Sequence, residues 1–127
     1  MSETDNASKK ILIVDDSFVN RSYLNILLTT RKYAVSEAGG GKEALDAIDA
    51  SLPDLILLDL MMPDMDGYET MDALKAKGIN VPIIIISADS EDNTRDLCME
   101  KGALCIINKP FKAIEIEKAI KTALHLE

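Results

Sequence analysis

Aspartate stands at positions 15, 16 and 59, serine at 87 and lysine at 109, each at or just beyond the end of an apolar run. ILIV leads into Asp15-Asp16, LILL into Asp59, PIIII into Ser87, and ALCII into Asn108 and Lys109. Burying a lone charge is costly, so a carboxylate where leucines end needs water, a cation or a partner. Carboxylates that converge sharpen the demand, since two unit charges about 4 Å apart repel by roughly 4 kcal/mol at an effective dielectric of 20. A cation answers it. Oxygen ligands with no histidine or thiolate among them favour Mg²⁺ over zinc, because Mg²⁺ keeps several waters and takes few protein oxygens. A Mg²⁺ site with open positions is also a phosphate site, where Lys109 balances one phosphoryl oxygen and the Ser87 hydroxyl donates to another. The chemistry within reach is in-line phosphoryl transfer, which asks for a nucleophile, a metal and an opposing cation. The donor has to come from outside: the single histidine, His125, lies in the last helical pattern and not at a strand end.

These residues need elements to carry them. Five apolar runs, Ile11 to Val14, Tyr33 to Glu37, Leu55 to Leu58, Val81 to Ile86 and Ala103 to Ile107, read as strands covered on both faces. Helical patterns alternate with them. Val19, Tyr23, Ile26 and Leu27 recur at helical spacing after Ser17, an N-cap residue. Ala44, Leu45 and Ile48 mark a second helix that stops before Pro53, and Met71 and Leu74 a third that Gly78 closes. The fourth, about Glu91 to Lys101, has only Leu97, Cys98 and Met99 to bury and is expected to be the least firmly docked. Ala113, Ile116, Ile120 and Ala123 mark the fifth, where His125 is expected to be a solvated residue favouring the helix C-terminus. Strand-helix units in this order predict an α/β fold: a five-stranded parallel sheet, doubly wound, with right-handed crossovers and helices on both faces. Ligands then bind beyond the carboxyl ends of the strands, where strand order reverses.

Composition narrows the field. At 127 residues the chain suits one domain, expected over 10–127, behind a frayed polar tail at 1–9. With no room for an attached effector, its own surface is expected to carry the output. A net charge of −8 and no Lys/Arg-rich run argue against nucleic acid as a partner. No apolar run approaches a membrane span, and the first ten residues lack the apolar stretch of a signal peptide, so the expected location is cytoplasmic with no membrane partner. Cys98 and Cys105 lack metal-ligand spacing and read as packing residues.

ILIVDDS, LILLDLMMPDMDG, PIIIISA and NKPF, in this order, resemble the receiver domain of two-component response regulators over about residues 10 to 126. The resemblance implies a flavodoxin-like strand order 2-1-3-4-5. It implies a stand-alone, non-enzymatic regulator in which Asp59 accepts a phosphoryl group from a phosphohistidine on a sensor kinase or phosphotransfer protein. Asp16 would bind Mg²⁺ directly, Asp15 mainly through water, with Asp59 and the Met61 backbone carbonyl completing the protein's share. Lys109 would pair with Asp59 before transfer and with the phosphoryl group afterwards, Ser87 would move toward it, and the Lys109–Pro110 bond would be cis. A downstream protein target would meet the fourth and fifth helices. One departure stands out: relatives often carry Tyr or Phe in the middle of the fifth strand, where Ile106 stands here. Asp89 and Met61 lie where side chains shield or guide the water that removes the phosphoryl group.

Rival readings fail on particular residues. A role as phosphorelay intermediate or phosphate sink keeps the same site and stays open. A haloacid-dehalogenase-type phosphatase needs a second aspartate two residues after the first, where Met61 stands. A flavin carrier needs a phosphate-binding loop after the first strand, where Asp15-Asp16 repels phosphate. GGGK at 39–42 lacks the Ser or Thr of a P-loop and reads as a flexible turn, and DMDG at 64–67 lacks the ligand spacing of an EF-hand. Met61 and Met62 read as apolar loop anchors.

Overall fold

The computed structural model describes residues 9–126, so most of the expected tail at 1–9 lies outside the described residues. Five strands form, β1 (Lys10–Val14), β2 (Ala34–Ala38), β3 (Leu55–Asp59), β4 (Ile83–Ser87) and β5 (Cys105–Asn108), and they pair in parallel in the order β2-β1-β3-β4-β5. The doubly wound sheet with order 2-1-3-4-5 is therefore present. Helices α1 (Phe18–Thr30), α2 (Gly41–Ala50), α3 (Gly67–Ala76), α4 (Asp92–Glu100) and α5 (Ala113–Ala123) fill the crossovers.

The sheet separates two apolar layers, and alternation along each strand assigns its residues to them. Ile11, Ile13, Leu55, Leu57, Ile84 and Ile86 face Leu24 and Leu28 of α1 and Ile116 and Ile120 of α5. Leu12, Val14, Ile56, Leu58 and Ile85 face Ala44 and Ile48 of α2, Met71 and Leu74 of α3, and Cys98 of α4. β3 and β4 are buried along their whole length, which is why their sequences are unbroken aliphatic runs. No helix among the described residues is long and apolar enough to cross a membrane.

Two helices present other faces than their spacing suggests. In α1 the buried residues are Leu24, Leu27 and Leu28, while Val19, Tyr23 and Ile26 are 74%, 48% and 67% exposed. The sequence of α1 is apolar on two sides, and polar anchors settle its rotation. Arg21 donates to the Asp15 carbonyl at 2.6 Å and to Glu37 at 3.1 Å, and Asn25 donates to Glu37 at 2.7 Å. These bonds draw Arg21 and Asn25 toward β2 and the exit of β1. In α4 the buried pair is Thr94 and Cys98, and Leu97 and Met99 are exposed, so this helix docks through less apolar surface than expected. Past the end of α5, His125 is exposed at a positive φ of 57°.

Candidate functional site

Register brings the chemistry together. Val14 pairs with Leu58, so Asp15 and Asp59 leave the sheet side by side, and Ser87 pairs with Asn108, one residue before Lys109. Asp15, Asp59 and Ser87 are all buried, whereas Asp16 is exposed. A carboxylate oxygen from each of Asp15, Asp16 and Asp59 lies within 4.8 Å of the others. Lys109 Nζ stands 3.3 Å from Asp15 Oδ2 and 3.5 Å from Asp59 Oδ1, so the lysine bridges both buried acids and not Asp59 alone.

Burial is the main force raising the Asp59 pKa above the ordinary carboxylate range, and the charge of Asp15 adds to it. Lys109 and the Met61 backbone N–H act in the opposite direction without cancelling that rise. Asp15 is better supplied, accepting from the Ser17 N–H at 2.8 Å and from Asn20 Nδ2 at 3.4 Å as well as from Lys109. One lysine thus serves the two buried carboxylates of a three-carboxylate cluster. An all-oxygen donor set that stays short of positive charge is what a small hard divalent cation such as Mg²⁺ suits.

The loop after β3 is shaped by glycine. Gly67 N–H donates to the Leu60 carbonyl at 3.0 Å, and a Cβ on Gly67 would lie 2.7 Å from the Asp59 carbonyl oxygen and 2.9 Å from Leu60 Cα. Only glycine lets the start of α3 approach the strand end that carries Asp59. Asp66 caps that helix by accepting from the Glu69 N–H at 2.8 Å, and Glu69 returns the bond to the Asp66 N–H at 3.1 Å. Met62 is buried in the loop as an anchor, but Met61 is 71% exposed, so the anchoring role fails for it. Its backbone, not its side chain, faces Asp59.

Gly41 was expected in a flexible turn and instead sits in close packing, since a Cβ there would fall 2.5 Å from both Met65 Cγ and Thr70 Oγ1. The sequence signal for Gly67 and Gly41 was present in DMDG and GGGK. What it lacked was the neighbour each glycine touches.

On the far side of the site, the Lys109–Pro110 peptide bond is cis and the Lys109 N–H donates to the Ser87 carbonyl at 2.8 Å. Ser87 Oγ accepts from the Asp89 N–H at 3.0 Å. Asp89 accepts from the Glu91 N–H at 2.9 Å and from Thr94 Oγ at 2.7 Å, and these two bonds hold its carboxyl below the usual range. Both of its carboxylate oxygens are thereby committed to the start of α4.

Comparison with known proteins agrees with this architecture. A sequence model of the response regulator receiver domain matches residues 11–121. The chain is 38% identical over 120 residues to sporulation initiation phosphotransferase F of Bacillus subtilis (strain 168), covering 94% of this chain and 97% of that protein. It is 36% identical to the alkaline phosphatase synthesis transcriptional regulatory protein PhoP of the same organism, covering 92% of this chain and 49% of that regulator. Among solved structures, Vibrio cholerae chemotaxis protein CheY4 superposes with a TM-score of 0.87 at 28% identity, over 91% of this chain and 98% of that one. The signal receiver domain of a putative Luxo repressor protein from Vibrio parahaemolyticus gives 0.88 at 26% identity, over 92% and 90%. Sequence pattern, strand order and relatives converge, and the chain belongs to the receiver domain family of the two-component response regulators.

Proposed function

We propose that Asp59 is the residue of this chain that accepts the phosphoryl group. Receiver domains are phosphoacceptors that bind Mg²⁺ in an acidic pocket, and the observation that carries the assignment is the convergence of Asp15, Asp16 and Asp59 under Lys109. An Asp59 carboxylate oxygen attacks phosphorus as the N–P bond of a phosphohistidine breaks, and the bonding pair leaves on the imidazole nitrogen. The product is an acyl phosphate. Asp15, Asp16 and Asp59, with the Met61 carbonyl, would hold the metal, which supplies charge neutralisation for the transferring oxygens. Lys109 orients Asp59 beforehand and pairs with a phosphoryl oxygen afterwards, and the Ser87 hydroxyl donates to another.

The donor is a protein, and α1 offers it a surface. Ser17 caps α1 right after Asp15 and Asp16, so the helix starts at the rim of the site. Phe18, Val19 and Ile26 are exposed along it, and Tyr23 meets Phe111 at a ring distance of 5.8 Å, two residues after Lys109. This apolar strip starts beside Asp15 and Asp16 and meets the segment that follows Lys109, which suits it to present an imidazole to Asp59. A downstream target on α4 and α5 completes the reading, supported by the exposed Leu97 and Met99.

Incubating the protein with Mg²⁺ and acetyl phosphate tests the assignment. One added phosphoryl group, released by hydroxylamine and missing in Asp59→Asn, is the expected result; labelling that persists in Asp59→Asn overturns it. A second reading, relay intermediate over final switch, draws on the relative that this chain spans almost entirely, which is named a phosphotransferase. Return of the label from Asp59 to a histidine protein is the result that favours it.

A further inference from the structure

Asp89 engages four partners with its four polar hydrogen-bonding atoms. Its N–H donates to Ser87 Oγ at 3.0 Å and its carbonyl accepts from Asn108 Nδ2 at 2.9 Å. Its carboxylate accepts from the Glu91 N–H at 2.9 Å and from Thr94 Oγ at 2.7 Å. One residue therefore ties the end of β4, the end of β5 and the first turns of α4. Thr94 is buried, and the Tyr68 hydroxyl of α3 faces it.

The middle of β5 has no polar side chain to report a movement; its Asn108, at the strand end, is already bonded to the Asp89 carbonyl. Ile106 of β5 pairs with Ile85, and an isoleucine neither donates nor accepts a hydrogen bond. If the Ser87 hydroxyl turns to a phosphoryl oxygen, Asp89 N–H loses its acceptor. The remaining bonds of Asp89 lead into α4, the helix with the least apolar surface to hold it in place.

We propose that Asp89 is a positioning residue that couples the Ser87 hydroxyl to α4, acting as a latch that Thr94 closes. This rests on the role assigned above to Ser87. The latch bonds favour the arrangement in which Ser87 points to Asp89, so weakening them favours the arrangement in which it points to the phosphoryl group. By linkage, loosening at Thr94 tightens binding at Asp59.

Beryllofluoride, a phosphoryl analogue, is titrated with Mg²⁺ into the wild type, Thr94→Val and Thr94→Ser, following binding by calorimetry and α4 amides by NMR. Thr94→Val is expected to bind about two- to tenfold more tightly, the span of one hydrogen bond, with its α4 resonances shifted toward the bound positions before any analogue is added. Thr94→Ser, which keeps the hydroxyl, is expected to restore wild-type affinity. In a Ser87→Ala background the effect of Thr94→Val is expected to vanish. Equal affinity of Thr94→Val and the wild type, or a gain that survives Ser87→Ala, overturns the latch while leaving phosphoacceptance intact. A wild type that binds no beryllofluoride overturns both. Should Thr94→Val not fold, Asp89→Ala at its exposed position carries the same test.

Discussion

Asp59 is held in an unfavourable state by its own neighbourhood. Its side chain is almost wholly removed from water, Asp15 stands beside it, and Lys109 divides its attention between the two acids. Asp59→Asn removes the charge and keeps the shape, so the metal-free variant is expected to melt a few degrees higher than the wild type. Adding Mg²⁺ should reverse the ranking, because the wild type gains stability from a ligand that the variant holds poorly. Thermal melts with and without Mg²⁺ measure both. Gly67 is the other residue whose identity the site depends on. Gly67→Ala drives a Cβ into the backbone at Asp59 and Leu60, which has nowhere to move, and is expected to cost about 1–3 kcal/mol in urea unfolding. Gly40→Ala is the control, since a Cβ there meets nothing within 4 Å. The acids, Ser87 and Lys109 were legible in the sequence because each ends an apolar run. Gly67 was visible in DMDG but its role was not, because a close approach of backbones leaves no periodicity.

At the level of elements, what could be read and what could not divide along the same line. Helices were legible where burial on one side writes a period into the chain and strands where an apolar run is continuous, and all five strands were found within about two residues of their ends. The face of α1 was not, because FVNRSYLNILL is apolar on two sides and period alone cannot say which meets the sheet. Arg21 and Asn25 decide it through Glu37. The docking of α1 on α5 likewise depends on a pair no local pattern announces: Arg31, at the C-cap of α1, bridges Glu117 of α5 through both its Nε and its Nη2, the latter at 2.9 Å. Hydrogen bonding by Arg31 is the first cause of a lowered Glu117 pKa. A carboxyl with a depressed folded pKa stabilises fully above its unfolded value, here 4.5, and loses that contribution as pH falls through the folded one. Both side chains are partly exposed, so Glu117→Gln is expected to lower stability at pH 7 by under about 1 kcal/mol. The gap to the wild type should close as pH falls below about 4.5, and urea unfolding at a series of pH values measures it.

For the molecule as a whole, the candidate site and the surface proposed for its donor are separable. The carboxylates and Lys109 sit at strand ends inside the sheet's carboxyl edge, whereas Ile26 lies two turns along α1, outside the pocket. On the proposed reading a small donor such as acetyl phosphate needs only the pocket, and a phosphohistidine protein needs pocket and helix together. Apolar anchors that a partner covers lose most when replaced by charge, because the charge must then be desolvated on docking. Ile26→Asp is therefore expected to slow transfer from a phosphohistidine protein by tenfold or more, about 1.4 kcal/mol. Phosphorylation by acetyl phosphate should be unchanged in the same variant, since Ile26 is exposed and supports no part of the core. Equal loss with both donors would place the effect in the pocket and remove α1 as the donor's surface. Loss with neither would assign docking to another face, and the apolar strip from Phe18 to Ile26 would then need a different partner.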